Sequence, residues 1–189
     1  YKRQVFLDTS SLVSPDELNG DLLLMESRNS VRNITAHLLE KGRTLPGFMG
    51  DIGYAQSNRE RYEGFCQALM DAGKTPNPSL CLTTPLGIDS YREEIDSFLS
   101  SLSRMPDAFV CASDYVACIL MQLLEKRGLR VPEDVAVSGF DNNIEDLLAE
   151  NLTTVQVFNE ELGSRLALQI LYRIKYPHTP HEVTYLESK

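Results

Sequence analysis

The strongest constraint in this sequence is an alternation of short β-rich runs with longer segments of helical period. Residues 4–8, 21–26, 45–50, 80–84, 108–113, 135–141, 153–157 and 182–186 read as strands. Between them, apolar side chains fall on one face of a helix. Val31, Ile34, Leu38 and Leu39 do so, as do Tyr62, Phe65, Leu69 and Ala72. Tyr91, Ile95, Phe98, Leu99 and Leu102 form a third stripe, and Gly163, Leu166, Ala167, Ile170, Leu171 and Ile174 a fourth. Gly42, Gly73 and Gly128 each stand just past a helical run, where a left-handed stop is expected. Strands separated by helices of this length require crossover connections, so an α/β fold with parallel sheets is expected.

A further helix is expected from Asp114 to about Arg127. Its first three turns are apolar around most of their circumference. Such a helix is either held between a sheet and a subunit partner or sunk in the core.

Several function classes are excluded by composition. The 189 residues are 42% hydrophobic and 24% charged, an ordinary globular balance with no sign of disorder. Apolar stretches such as 22–25 and 116–121 are far too short to span a membrane. Eighteen Lys and Arg against 27 Asp and Glu leave a net charge of −9, and the average field would repel a phosphate backbone. Cys66, Cys81, Cys111 and Cys118 show no C-x-x-C spacing and mostly sit in apolar runs, which points to buried thiols in a reduced cytosol. Tyr1 in place of Met, followed at once by a strand-like run, reads as a piece cut from a longer protein.

In open α/β sheets, ligands bind beyond the carboxyl ends of the strands. Acceptors collect at those ends: Asp8, Asp51, Ser113 with Asp114, and Asp141. Each could simply cap a helix or shape a turn. Together they suit the hydroxyls and N–H groups of a neutral ligand and oppose a phosphate. Arg61 lies in the first turn of a helix expected over 59–72, where the helix dipole disfavours a cation. A ligand contact and a surface position both fit it. Gly64, three residues on, lets that helix approach something closely.

No phosphate loop, dinucleotide fingerprint or nucleophile elbow is present. His178 and His181 lie in a loop with no further clustered ligands, so no metal is expected, and no cofactor is implied. No nucleophile–base pair supports catalysis, and the chain is not expected to be an enzyme.

Read in order, several segments resemble one family. Residues 107–117 (DAFVCASDYVA) and 128–142 (GLRVPEDVAVSGFDN) look like the effector-binding domain of the LacI/GalR transcriptional regulators. The V-P-E-D-V…G-F-D run carries most of the specificity. Leu152-Thr153-Thr154-Val155 with Glu161-Leu162-Gly163, and Arg61-Tyr62-Glu63-Gly64-Phe65, are similar to further blocks in the family's order. Gly42-Arg43-Thr44 stands where the family has its G-H-r block.

The resemblance implies a two-lobed, periplasmic-binding-protein-like type I fold with parallel sheets flanked by helices. It implies one lobe from residues 1–50 and 157–181, and the other from 51–156 and 182–189. The family's ligand-contacting positions fall on Asp8, Ser57, Arg61, Ser113 and Asp141. Ser113 stands where many members carry Asn, and the stretch at Pro85 and Leu86 lacks the aromatic that ring-stacking members carry. Relative to the family, the DNA-binding headpiece and roughly the first three strands and two helices of the first lobe are absent, leaving that lobe incomplete. The implied function is effector binding and dimerisation in a cytoplasmic LacI-type repressor or related regulator. A sugar or related small molecule would modulate operator DNA binding through a headpiece outside this chain, without membrane contact. A periplasmic-type sugar receptor of similar fold is the alternative.

Overall fold

In a computed structural model, the described residues are 4–87, 89–143 and 152–189. The elements run β1 (Val5–Leu7), β2 (Asp21–Met25), α1 (Arg28–Glu40), β3 (Pro46–Met49), α2 (Gln56–Asp71), β4 (Cys81–Leu82), α3 (Tyr91–Ser101), β5 (Ala108–Cys111), α4 (Asp114–Lys126), β6 (Ala136–Ser138), α5 (Asn159–Lys175) and β7 (Val183–Leu186). They build two parallel sheets, one ordered β1-β2-β7 and the other β4-β3-β5-β6. This is the α/β class read from the strand–helix alternation.

The second sheet is covered on both faces, and its strands distribute side chains with period two. Phe48, Val110 and Ala112 join Val31, Phe65 and Leu69 in one core, on the side of α1 and α2. Met49, Phe109, Cys111 and Val137 join Ile95, Leu99 and the apolar residues of α4 in another. Gly64 is where α2 comes closest to its neighbour: a side chain there would strike the backbone carbonyl of Arg28 in α1. Gly42, Gly73 and Gly128 hold the left-handed conformation expected of helix stops.

Helix α4 is sunk in the core. Val116 through Met121, Leu123 and Leu124 are buried within one chain, so its apolar circumference needs no partner subunit.

Three expectations are corrected by the sheets. First, β3 was expected in the first lobe, yet it pairs with β4 and β5, with Met49 opposite Leu82 and Cys111. The final strand β7 was expected in the second lobe, yet it pairs with β2, Leu23 opposite Thr184. Sheet membership therefore changes after β2 rather than near residue 50, and residues 183–186 lie with the first sheet. The reason is that β2 and β3 are both buried along their whole length, so neither pattern says which ladder it joins. Second, residues 153–157 form no continuous strand and contribute isolated bridges, Ser138 to Thr153 and Asp141 to Gln156. Third, the apolar stripe of α5 is largely uncovered. Leu162 is buried, but Leu171 and Ile174 are 60% and 47% exposed.

Outside the second sheet, a buried ion pair organises the first. Asp21, at the start of β2, takes two bonds from Arg173 near the end of α5, one of them at 2.9 Å from Nε. Arg173 also donates to the carbonyls of Thr179 and Pro180, and Asp21 accepts the Glu182 N–H at 2.9 Å. The turn leading into β7 is thereby tied to β2.

Candidate functional site

Two of the strand ends named above, those at Asp8 and Asp141, meet the first turns of α2. Ala55 occupies the N-cap of α2 and offers no side-chain acceptor. The orphan N–H groups of the first turn must find oxygen elsewhere. They find it on the loop that follows β1. The Thr9 carbonyl accepts the Gln56 N–H at 2.7 Å. The Asp8 carboxylate accepts the Ser57 hydroxyl at 2.5 Å and faces the Ser57 N–H at 3.4 Å. Asp8 holds a left-handed backbone (φ 57°), which a short polar side chain tolerates. A carboxylate at a helix N-terminus is also favoured by the dipole.

One turn along α2, Arg61 is buried (7% exposed). Its Nη1 donates to the Ala112 carbonyl at 2.5 Å, beyond the end of β5. Its guanidinium carbon lies 3.6 Å from the centre of the Phe140 ring, a cation–π stack. Its Nη2 is 3.6 Å from Asp141 Oδ1, and its Nε has no hydrogen-bond partner among the described residues. Burial pushes the guanidinium's pKa down, while Asp141, Asp8, Asp114 and Glu60 hold it up. Asp141 follows β6 in a strained backbone (φ 110°), with Asn142 beside it at φ 49°. Burial raises the Asp141 pKa to about 6; Arg61 opposes that shift and Asp114 adds to it.

Asp8, Ser57, Arg61 and Asp141 are therefore brought together around one helix turn. Ser113 is not part of that contact. It is the N-cap of α4, and its Oγ accepts the Val116 N–H at 3.3 Å. Asp51 likewise closes its own turn, accepting from the N–H groups of Gly53 (2.7 Å) and Tyr54 (3.1 Å). Asp114 is buried and accepts the Thr154 hydroxyl at 2.5 Å.

Three residues escaped the reading of the sequence: Phe140, Glu60 and Tyr185. Phe140 lies under Arg61 within the G-F-D run. Glu60, 4% exposed, accepts from Gln56 Nε2 at 3.1 Å and from the Tyr185 hydroxyl at 3.0 Å. Residues 56–61 are polar almost throughout, so nothing in the pattern marks Glu60 as buried. The arrangement offers a guanidinium with an unused N–H, two carboxylates and a hydroxyl at the carboxyl ends of the strands. That set can grip vicinal hydroxyls from two sides. Among the described residues, no group of three or more His, Cys, Asp or Glu could hold a metal, and no helix is long and apolar enough to cross a membrane.

Comparison with known proteins gives a consistent result. The chain is 30% identical over 166 residues to the HTH-type transcriptional repressor PurR of Aliivibrio salmonicida, covering 87% of this chain and 49% of that protein. It is 31% identical over 158 residues to the HTH-type transcriptional regulator DegA of Bacillus subtilis, covering 82% and 46%. The chain thus spans about half the length of the curated relatives it matches. Among solved structures, it resembles the transcriptional regulator CelR in complex with cellobiose, with a TM-score of 0.83 and 25% identity over 98% of this chain and 56% of that one. A LacI-family regulator from Sanguibacter keddieii gives 0.80 at 25% identity, over 98% and 68%. The relatives and solved structures that the chain resembles are LacI-type regulators, residues 35–188 match the family described as the periplasmic binding protein-like domain, and with most of its length inside that match the chain belongs to this family.

Proposed function

We propose that this chain is the effector-binding part of a LacI-type transcriptional regulator, taking a neutral, hydroxyl-rich ligand such as a sugar between its two sheets. The observation that carries this reading is the meeting of Asp8 from the first sheet with Ser57 on α2, one turn from Arg61, which faces Asp141 beyond β6 of the second sheet. A ligand bound there bonds to both sheets at once. It therefore favours one arrangement of the sheets over another, and that population shift is what a regulator transmits. The structural neighbour bound to cellobiose and the repressor relatives support a regulator over a periplasmic-type receptor. Operator DNA is read by a headpiece outside this chain, in keeping with the net charge of −9 here. The protein works in the cytoplasm as a homodimer, without catalysing a reaction.

The test is a thermal-shift panel of sugars, sugar phosphates and purines. A neutral sugar should raise the melting temperature of the wild-type chain and fail to do so in Arg61→Met. A preference for phosphorylated compounds, or a shift that survives Arg61→Met undiminished, would defeat the reading.

A further inference from the structure

The contact between Tyr185 and Glu60 spans the two sheets without using any atom of the cleft. Tyr185 belongs to β7 in the first sheet, and Glu60 to α2, whose Phe65 and Leu69 share a core with Phe48 and Val110 of the second sheet and with Leu23 and Met25 of the first. Glu60 is adjacent to Arg61 and one turn from Ser57. Its buried carboxylate must be satisfied, and Tyr185 and Gln56 satisfy it. A further bridge between the sheets, Asp8 with Ser57, is of a different kind. Its atoms are the ones that a ligand hydroxyl would claim, so a bound ligand competes with it. The Tyr185 bond meets no such competition. Burial and the bond to Glu60 push the Tyr185 phenol up to about 12, so it remains a proton donor across the ordinary pH range.

We propose that Tyr185 and Glu60 are positioning residues for the cleft: their hydrogen bond holds the first turn of α2 against the first sheet before any ligand arrives. Ser57 and Arg61 are then presented in alignment, and a ligand that displaces Ser57 from Asp8 does not release the helix. The assignment of the cleft to an effector rests on the function proposed above, but the bond and its mechanical role do not.

The experiment therefore needs no ligand. Hydrogen exchange is followed by mass spectrometry in the full chain, in Tyr185→Phe and in Glu60→Gln. The reporters are the amides of Gln56 and Ser57, which face Thr9 and Asp8 only while α2 is held to the first sheet. In Tyr185→Phe these amides should exchange about fivefold to tenfold faster, while those of β3 and β5 keep their wild-type protection. Glu60→Gln retains an acceptor oxygen for the tyrosine and should stay within about twofold of wild type at the same amides. Unchanged exchange at Gln56 and Ser57 in Tyr185→Phe would overturn the proposal. So would an equal acceleration throughout β3 and β5, which would mark the bond as a contribution to global stability alone. Either result leaves the effector reading untouched, and a failed ligand panel leaves this one untouched.

Discussion

The Asp8 carboxylate caps a helix that packs on the other sheet. Its Oδ2 takes the Ser57 hydroxyl at 2.5 Å, and Oδ1 faces the Ser57 N–H at 3.4 Å. Because Ala55 brings no side-chain acceptor to the N-cap, the first turn of α2 takes its acceptors from the loop after β1. Asp8→Ala and Ser57→Ala should each cost about 1–2 kcal/mol in urea unfolding, the range of a lost cap or a charge-assisted hydrogen bond. The double variant should cost little more than the worse single one. Strictly additive losses would show that the two side chains act independently.

Arg61 serves the fold as well as the cleft. It donates to the Ala112 carbonyl and stacks on Phe140, and a lysine can copy neither the planar stack nor the second N–H group. Arg61→Lys should therefore lower folding stability by about 1–3 kcal/mol and also weaken the ligand found in the thermal-shift panel by a similar amount. Chemical unfolding and calorimetry on the same preparation check the two effects. A variant with full stability and lost binding would assign the guanidinium to the ligand alone.

The sequence shows this fold wherever a local pattern and the tertiary structure ask for the same thing. Ile95, Leu99, Phe65 and Val31 are periodic and buried, because each helix turns its stripe onto a sheet. The cleft was partly visible for a similar reason: acceptors collect where an apolar strand stops. Its wiring was not visible. Asp8 and Ser57 are 49 residues apart, and no local signal joins a strand end to a helix start. Glu60 and Tyr185 are 125 residues apart, in segments that read as the polar start of a helix and a strand. Sheet membership failed on the same ground, since the apolar β2 and β3 fit either ladder. Ser113 shows why a strand-end position alone is ambiguous: its hydroxyl oxygen caps α4 by accepting the Val116 N–H, which leaves its own O–H to donate.

Asp141 should give the site a pH signature. Its pKa is raised to about 6 by burial, with Arg61 opposing the shift, against an ordinary value of 3.8. An acid with a raised folded pKa favours the folded state most when protonated. Its contribution is full below the unfolded value and is lost as the pH rises through the folded one, between about 4 and 6. Asp141→Asn cannot ionise and escapes that loss. Measured by thermal unfolding, the melting temperature of Asp141→Asn relative to wild type should climb from pH 4 to pH 7. A constant difference across that range would mean that the carboxyl does not titrate there.

The ion pair of Asp21 and Arg173 makes a contrasting case, because it is buried and far from the proposed ligand contacts. Burial by itself would raise the Asp21 pKa, but hydrogen bonds from Arg173, Gln169 and the Glu182 N–H outweigh it and bring the pKa below 3.8. A depressed acid contributes stability above its unfolded pKa and loses it as the pH falls through the folded one. Asp21 thus holds β2 to the turn before β7 at neutral pH and loses that hold as the pH falls below the ordinary carboxylate range. Removing one partner is more severe than titration, since it leaves a charge buried without its counterion. Arg173→Met should cost about 3–5 kcal/mol, and the damage should begin in the first sheet. The carbonyls of Thr179 and Pro180 lose their donor in the same variant, so Asp21→Asn added to Arg173→Met should recover only part of the loss. Hydrogen exchange should show protection falling first in β7 and β2, with β3 and β5 retained. Simultaneous loss in both sheets would mean that the two unfold as one cooperative unit.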